Sequence, residues 1–541
     1  MKKLINIFLV GTALAASVVS CTDGFEEINR DPYLPTDLSP DDYALTSSMM
    51  NIFGSVVSND EHRTQFLECL LGGTQGGYYA DGSASFTNSI ARYNAPNGWT
   101  RVFMESGSKS LIPTLFTNLS MVNDYCEEYD AHVPNAIGLI VKVAAMSRVT
   151  DCYGPIPYSK IGYDGSIVTP YDSQEDVYNK FFEELDEAKS IIAAYPEESL
   201  NSLIDEVYHG DMQKWVKFAN SLQLRLALRI SYANPTLAKE KAEAAVNPAN
   251  GGVIEENAGN AQWDHFRTST NSMLIAIQYN DHDSRAAADI ICYMNGYNDP
   301  RRAKYFAQSE WKDEDGNFLT DPEDQPLTYV GTRRGWAVYN AKQWGIKFCD
   351  INLDSHAPFQ WLNAAEVAFN RAEGAAVFGW EMGGDAETLY NKGIELSFEQ
   401  YGVSGLADYV ADATSVPAGY YDPSTFNPWN GSLPAVTIKW DESATTEQKQ
   451  ERIAIQKWIA NWTIGNEAWA EIRRTGYPKL IPVEYNGSAG IVDSEKGAQR
   501  MPYPQEEYTN NGANVQAAVT NFLLGPDNMG TKVWWACKPG L

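Results

Sequence analysis

Apolar residues recur at three- and four-residue steps through long stretches of the chain, the spacing that lays a continuous stripe along one face of an α-helix. Pro134 to Tyr153 carries Ile137, Ile140, Val141, Ala144, Ala145 and Val149, a stripe wide enough to be buried on most sides, and Gly154-Pro155-Ile156-Pro157 stops it. The next helix is predicted to open at Ser173 and Asp176, a capping box with Asp in place of Glu. It turns Tyr178, Phe181, Phe182, Leu185, Ala188 and Ile192 inward. A third starts at Asp211 and buries Trp215, Phe218, Ala219, Leu222, Leu226 and Ile230. A fourth reads Asn234-Pro235, cap then first-turn proline, and ends before Gly251-Gly252. Residues 361–401 predict another pair. Trp361 to Val377 holds small residues at Ala364, Ala365, Ala368, Ala372, Ala375 and Ala376, and Asp385 caps a partner that ends before Gly402. Ile453 to Ile472 is predicted as one periodic helix with Trp458, Trp462 and Trp469 in the core, and Trp99 as the core-facing start of a helix to Phe103.

Helix pairs joined by short turns are the unit of tetratricopeptide-like solenoids, although the strict repeat of about 34 residues is absent. The helical pattern stops in two stretches, roughly 251–360 and 403–450. They exceed ordinary connections in length, and their aromatic content argues against disorder. The expected architecture is therefore mainly α. It comprises a tetratricopeptide-like helix-pair scaffold over roughly 40–250 and 361–401, the two long irregular loop insertions, a C-terminal part at 451–541, and a few short β-hairpins. A hairpin turn is predicted at Asp315-Gly316.

Composition narrows the function. The 541 residues are 44% hydrophobic and 21% charged, enough for a large core. With 41 Lys+Arg against 70 Asp+Glu the net charge is −29, which excludes a nucleic-acid binder and a basic membrane-binding face. The 15 Trp, 30 Tyr and 20 Phe suit a large core or the stacking of flat, partly apolar ligands such as sugar rings. Lys2 and Lys3 precede an uncharged run from Leu4 to Ser20, right for a signal peptide covering residues 1–20. Val18-Val19-Ser20-Cys21 resembles the lipobox of bacterial lipoproteins, which implies cleavage before Cys21 and lipidation of its sulfur, with residues 21–541 as a single mature domain. Six further cysteines are widely spaced with no C-x-x-C, and several are expected to be small buried hydrophobes.

Enzyme signals are thin. No H-E-x-x-H or G-x-S-x-G occurs, the six histidines have no ligand-like spacing, and no catalytic residue or metal ligand is nominated. Asp313-Glu314-Asp315-Gly316-Asn317 falls short of a calcium loop, because its Gly stands fourth and no Glu closes it. No cofactor is expected, and a structural calcium ion bracing a loop is left open.

Several segments together resemble the SusD/RagB nutrient-binding outer-membrane lipoproteins of Bacteroidetes. They are Phe25 to Pro32 after the anchor, Thr150-Asp151-Cys152-Tyr153-Gly154-Pro155-Ile156-Pro157-Tyr158, Tyr171 to Tyr178 and Lys217 to Arg225. Ala364-Ala365-Glu366 with Arg371-Ala372-Glu373, Glu471 to Pro478, Arg500 to Pro504 and Trp534-Trp535 complete the set. The resemblance implies a surface-exposed, outer-membrane, lipid-anchored protein of tetratricopeptide-like fold without catalysis. Its implied role is to capture an oligosaccharide or a peptide for a SusC-like TonB-dependent transporter. A surface helical glycoside hydrolase or lyase, and a non-binding scaffold of the transporter complex, are the alternatives.

Aromatics in non-periodic polar loops are the binding candidates. Gly72-Gly73-Thr74-Gln75-Gly76-Gly77 presents Tyr78 and Tyr79, and Arg333-Arg334-Gly335 leads to Trp336, Tyr339 and Trp344. If these fail, the search moves to 403–450 with Tyr420 and Trp429. Asn220 and Glu366, polar and inside helices, are expected to satisfy nearby backbone or loops.

Overall fold

Capping chemistry sets the helices where the pattern places them. In the computed structural model α1 (Val133–Tyr153) runs to Gly154. Ser173 Oγ accepts the Asp176 N–H at 3.1 Å to start α2 (Gln174–Ala194). Asp211 accepts from Gln213 and Lys214 at the head of α3 (Met212–Arg229), and Asn234 accepts from Leu237 at the head of α4 (Pro235–Val246). The first insertion holds two short helices, α5 (Ala288–Gly296) and α6 (Arg302–Tyr305). Asn363 and Asp385 cap α7 (Ala364–Phe378) and α8 (Ala386–Tyr401). Each such cap contributes about 1 kcal/mol. The structure describes residues 40–541 apart from 84–85, 101–102, 105–109, 163–167, 322–323, 325, 337–344 and 423. The chain divides into two compact units, 1–47 and 48–541. Of the first, residues 40–47 are described and are helical.

In the larger unit α1 packs on α2, α3 on α4 and α7 on α8, the tetratricopeptide-like arrangement expected. Two expectations need correction. Trp361 lies in a strand, because Asn363 claims the cap position and holds the Glu366 N–H at 2.8 Å. Ile453 to Ile472 is two helices, α9 (Thr446–Ala460) and α10 (Gly465–Thr475). Asn461 ends the first, its side chain engaged by Asn363 and Glu366 at 3.0 Å each, and Thr463 follows at φ +76°. Trp458, Trp462 and Trp469 are buried as the pattern requires. Trp99 lies in a single helical turn, Asn97–Thr100, half-buried and edge-on to Phe66 and Phe86.

Six short strands occur among the described residues: β1 (Tyr79–Asp81), β2 (Ile156–Pro157), β3 (Tyr171–Asp172), β4 (Ala261–Trp263), β5 (Ser284–Ala286) and β6 (Phe359–Leu362). They pair antiparallel as β1–β5, β2–β3 and β4–β6, with Tyr79 opposite Ala286, Ile156 opposite Asp172 and Ala261 opposite Leu362. The β1–β5 and β4–β6 pairs join segments far apart in the chain, and they fasten the first insertion to the scaffold. The Asp315-Gly316 turn forms, with the Asp313 N–H on Asn317 O at 2.8 Å.

A buried ionic cluster ties the C-terminal part to the helix pairs. Arg474 donates to Glu471 and Glu373, both at 2.7 Å through Nη2, and Lys457 also pairs with Glu471. Arg229 meets Glu467 at 2.5 Å, and Arg225 meets Glu366 at 2.6 Å. Asn220 donates to Asn250 O and Gly252 O, closing the loop after α4. The cysteines at 69, 126, 152, 292, 349 and 537 are free, and all but Cys537 are buried.

Candidate functional site

The glycine-rich run 72–77 is not an exposed turn. Gln65–Gly73 is helical and lies against α10, backbone to backbone. A Cβ at Gly465 would stand 2.4 Å from Gly72 C, so neither position tolerates a side chain. The chain beyond is therefore drawn inward. Tyr78 stacks on Trp458, with centroids 5.6 Å apart, and donates to the Trp458 carbonyl. Tyr79 packs edge-on against Trp462 and donates to Met273 Sδ. Their exposures of 0% and 1% leave no face for a ligand, which overturns the expectation that they form a binding platform. Trp336 is also corrected. It packs with Trp311, Leu327, Val330 and Phe348 as a small core of the first insertion. Tyr339, Trp344 and Cys21 lie outside the described residues.

The structure instead brings the two insertions together. A cleft of about 690 Å³ opens between α5, the Asn298–Arg302 turn, residues 326–331 and residues 418–421. Close approach makes it. A Cβ on Gly296 would sit 2.0 Å from Val416 O, so only glycine lets the second insertion lie across the end of α5. The Ala418 N–H then bonds Cys292 O at 2.9 Å. On the other wall the Thr332 N–H bonds Ala286 O and the Ala288 N–H bonds Thr332 O, each at 2.8 Å. Tyr420, Trp429 and Leu433 lean, half-buried, on Ala288, Cys292 and Ile481. Arg333 pins the loop behind them, donating to Pro428 O at 3.0 Å and Pro482 O at 2.8 Å. Asp422 folds the tip by accepting from the Ser424 and Asn427 N–H groups.

Within the cleft the chemistry is aromatic and amide-rich. Tyr329, Tyr420 and Tyr421 line it with Asn295 and Asn298, and Asp321 is its one carboxylate among the described residues. Tyr421 is 38% exposed, and Phe426 beyond it is 60% exposed. Asn295 is fixed, its amide donating to Tyr329 O at 3.0 Å and its carbonyl accepting from Arg302 Nη1 at 2.7 Å. The Arg302 guanidinium rests 4.4 Å from the Tyr329 ring centroid. Burial holds it below the usual arginine range. The exposed ring of Tyr421 beside the polar groups of the lining suits a ligand with apolar faces and hydroxyl edges. Periodicity gave no sign of Tyr329, Tyr421, Asn295 or Arg302. The adjacent pair Tyr420-Tyr421, set between Pro417 and Pro423 in a non-periodic stretch, is the available signal.

The structure thus presents a helical scaffold with an aromatic cleft built from its two insertions. The sequence matches the SusD-like family, described as Susd and RagB outer membrane lipoprotein, over residues 27–536, and the chain belongs to that family. It is an outer-membrane lipoprotein, and among the described residues no helix is long and apolar enough to cross a membrane. A SusD homologue from Bacteroides uniformis ATCC 8492 is 54% identical over 92% of this chain and 100% of its own, with a TM-score of 0.87. A second, from Bacteroides thetaiotaomicron VPI-5482, is 36% identical over 91% of this chain and 99% of its own, with a TM-score of 0.80. A chitin-binding SusD homologue from Flavobacterium johnsoniae is 35% identical over the same shares, with a TM-score of 0.81. No curated protein matches the sequence.

Proposed function

We propose that this lipoprotein captures oligosaccharides at the cell surface in the cleft between its two insertions and delivers them to a SusC-like TonB-dependent transporter. The observation that carries this reading is the convergence of Tyr329, Tyr420 and Tyr421 with the fixed Asn295 amide on an open cleft. The chitin-binding relative supports a carbohydrate over a peptide. Among the described residues Asp321 is the one carboxylate of the lining, which favours binding over hydrolysis, since most glycosidases use two carboxylates flanking the bond. Anchoring through Cys21 would hold the cleft near the transporter mouth and raise the local ligand concentration. Cys21→Ala should then move the protein out of the outer-membrane fraction.

The test is direct. Chito-oligosaccharides and other oligosaccharides are titrated into the parent and into Tyr421→Ala and Tyr329→Ala, with product formation followed in parallel. The expected result is affinity without turnover, weakened in at least one variant that melts like the parent. Turnover would make the protein an enzyme. Unchanged affinity in both variants would move the site elsewhere.

A further inference from the structure

We infer that Arg302 makes the cleft selective for glycans that carry a carboxylate, that is, chains containing uronic acids. The inference rests on the reading of this cleft as the glycan site.

Arg301 and Arg302 are neighbours with opposite fates. Arg301 is fully buried and gripped by Asp299, Nε on Oδ1 at 2.9 Å and Nη2 on Oδ2 at 2.6 Å. Arg302 turns into the cleft, where no carboxylate of the described residues lies within ion-pair distance. Its direct contacts there are neutral, the Asn295 carbonyl below and the Tyr329 ring beside it, and the carboxylate that acts on it through space, Asp299, is already paired with Arg301. Asp321 lines the same cleft without pairing with it. Most arginines enclosed elsewhere in this acid-rich chain have a carboxylate, among them Arg148, Arg225, Arg229, Arg334, Arg474 and Arg500.

A half-buried guanidinium with no directly paired carboxylate among the described residues is costly, and the cost is recovered when an anion arrives. Asn295 occupies one side of Nη1, and Nε is sealed off from water. The open edge is the end of the guanidinium, the edge that takes a planar carboxylate through two parallel N–H bonds. Asn295 and the ring of Tyr329 hold that edge in place before the ligand arrives, so little side-chain entropy is lost on binding. The net charge of −29 opposes an acidic chain at long range, but at physiological salt that field is screened beyond about 8 Å. Contact at Arg302 decides the selectivity.

The experiment titrates the full-length lipoprotein in detergent with oligogalacturonate, oligoglucuronate and oligomannuronate, each beside its carboxyl-reduced counterpart, and with dextran sulfate. The expected result is that at least one uronate binds and that its reduced form binds at least tenfold more weakly. Arg302→Gln should abolish that difference without lowering the melting temperature. Arg302→Lys, which keeps the charge and loses the fork, should retain only part of it. The inference fails if reduced and acidic chains bind alike, if dextran sulfate binds and no uronate does, or if Arg302→Gln keeps the discrimination. In those cases neutral-glycan binding that still falls in Tyr421→Ala leaves the cleft as the glycan site. Loss of the cleft reading itself would show as no Tyr421 dependence for any chain.

Discussion

Two tyrosine pairs each preceded by a glycine, Tyr78-Tyr79 and Tyr420-Tyr421, look alike in sequence and end in opposite places. The first pair follows a backbone packed directly on α10, and both rings are sealed against Trp458 and Trp462. The second pair sits where Gly296 lets a loop cross the end of α5, and Tyr421 stays 38% exposed over a cleft. In both, glycine serves close approach. What differs is the far side: a second helix covers the first pair, whereas in the second Tyr420 leans on the insertion core and Tyr421 faces solvent. The charges divide in the same way. In the scaffold the guanidinium of Arg474 is matched by Glu373 and Glu471, whereas in the cleft Arg302 is held by an amide and a ring.

The comparison breaks most readily at Tyr79. Tyr79→Ala should cost about 3–5 kcal/mol of stability and lower the melting temperature, as truncation of a core aromatic does. If this variant melts like the parent and loses ligand, the two pairs have been assigned the wrong way round. Glu471→Ala should cost about 3–5 kcal/mol as well, because it leaves two buried cations, Arg474 and Lys457, to share the single carboxylate of Glu373. Burial alone would raise the Glu471 carboxyl, but Arg474, then Lys457 and Arg229, override it and hold it well below the usual range. A carboxyl depressed by folding adds stability above its unfolded pKa and loses it as pH falls through the folded value. The parent should therefore weaken below about pH 4.5, and denaturant titrations at stepped pH should show a smaller acid loss in the variant.

Tyr421→Ala should act the other way, costing about 2 kcal/mol of binding, roughly thirtyfold, with near-parental melting. Equal loss of folding and binding would mean that Tyr421 supports the loop and does not contact the ligand. Gly296→Ala sharpens the geometric claim. Its Cβ would collide with Val416 O, so the second insertion must shift, at about 1–3 kcal/mol and with weaker binding. Parental affinity and melting in that variant would show that the close approach does not shape the site.

The helices were legible because their signals are local. Ser173, Asp211, Asn234 and Asp385 cap within three residues of themselves, and the apolar stripes between them repeat every turn. The break at Asn461 was not legible, because its cause is Glu366 and Asn363 on another helix. Trp361 was misread for a related reason, since its strand pairs with residues about a hundred positions earlier. The cleft was the least legible part. Its walls come from 291–302, 326–331 and 418–421, and nothing in any one segment announces the others. The two long non-periodic stretches are the signal the sequence does carry, and Tyr420 lies in the second of them. Glycines that serve backbone contact and glycines that serve turns carry the same letter, and that misdirected the reading of Tyr78 and Tyr79.

Hydrogen–deuterium exchange, measured with and without a bound oligosaccharide, tests the central claim most directly, because it locates the ligand without altering the protein. The account predicts added protection at 291–302 and 418–421 together, with 72–82 unchanged. Protection at 72–82, or protection of one insertion without the other, would contradict it.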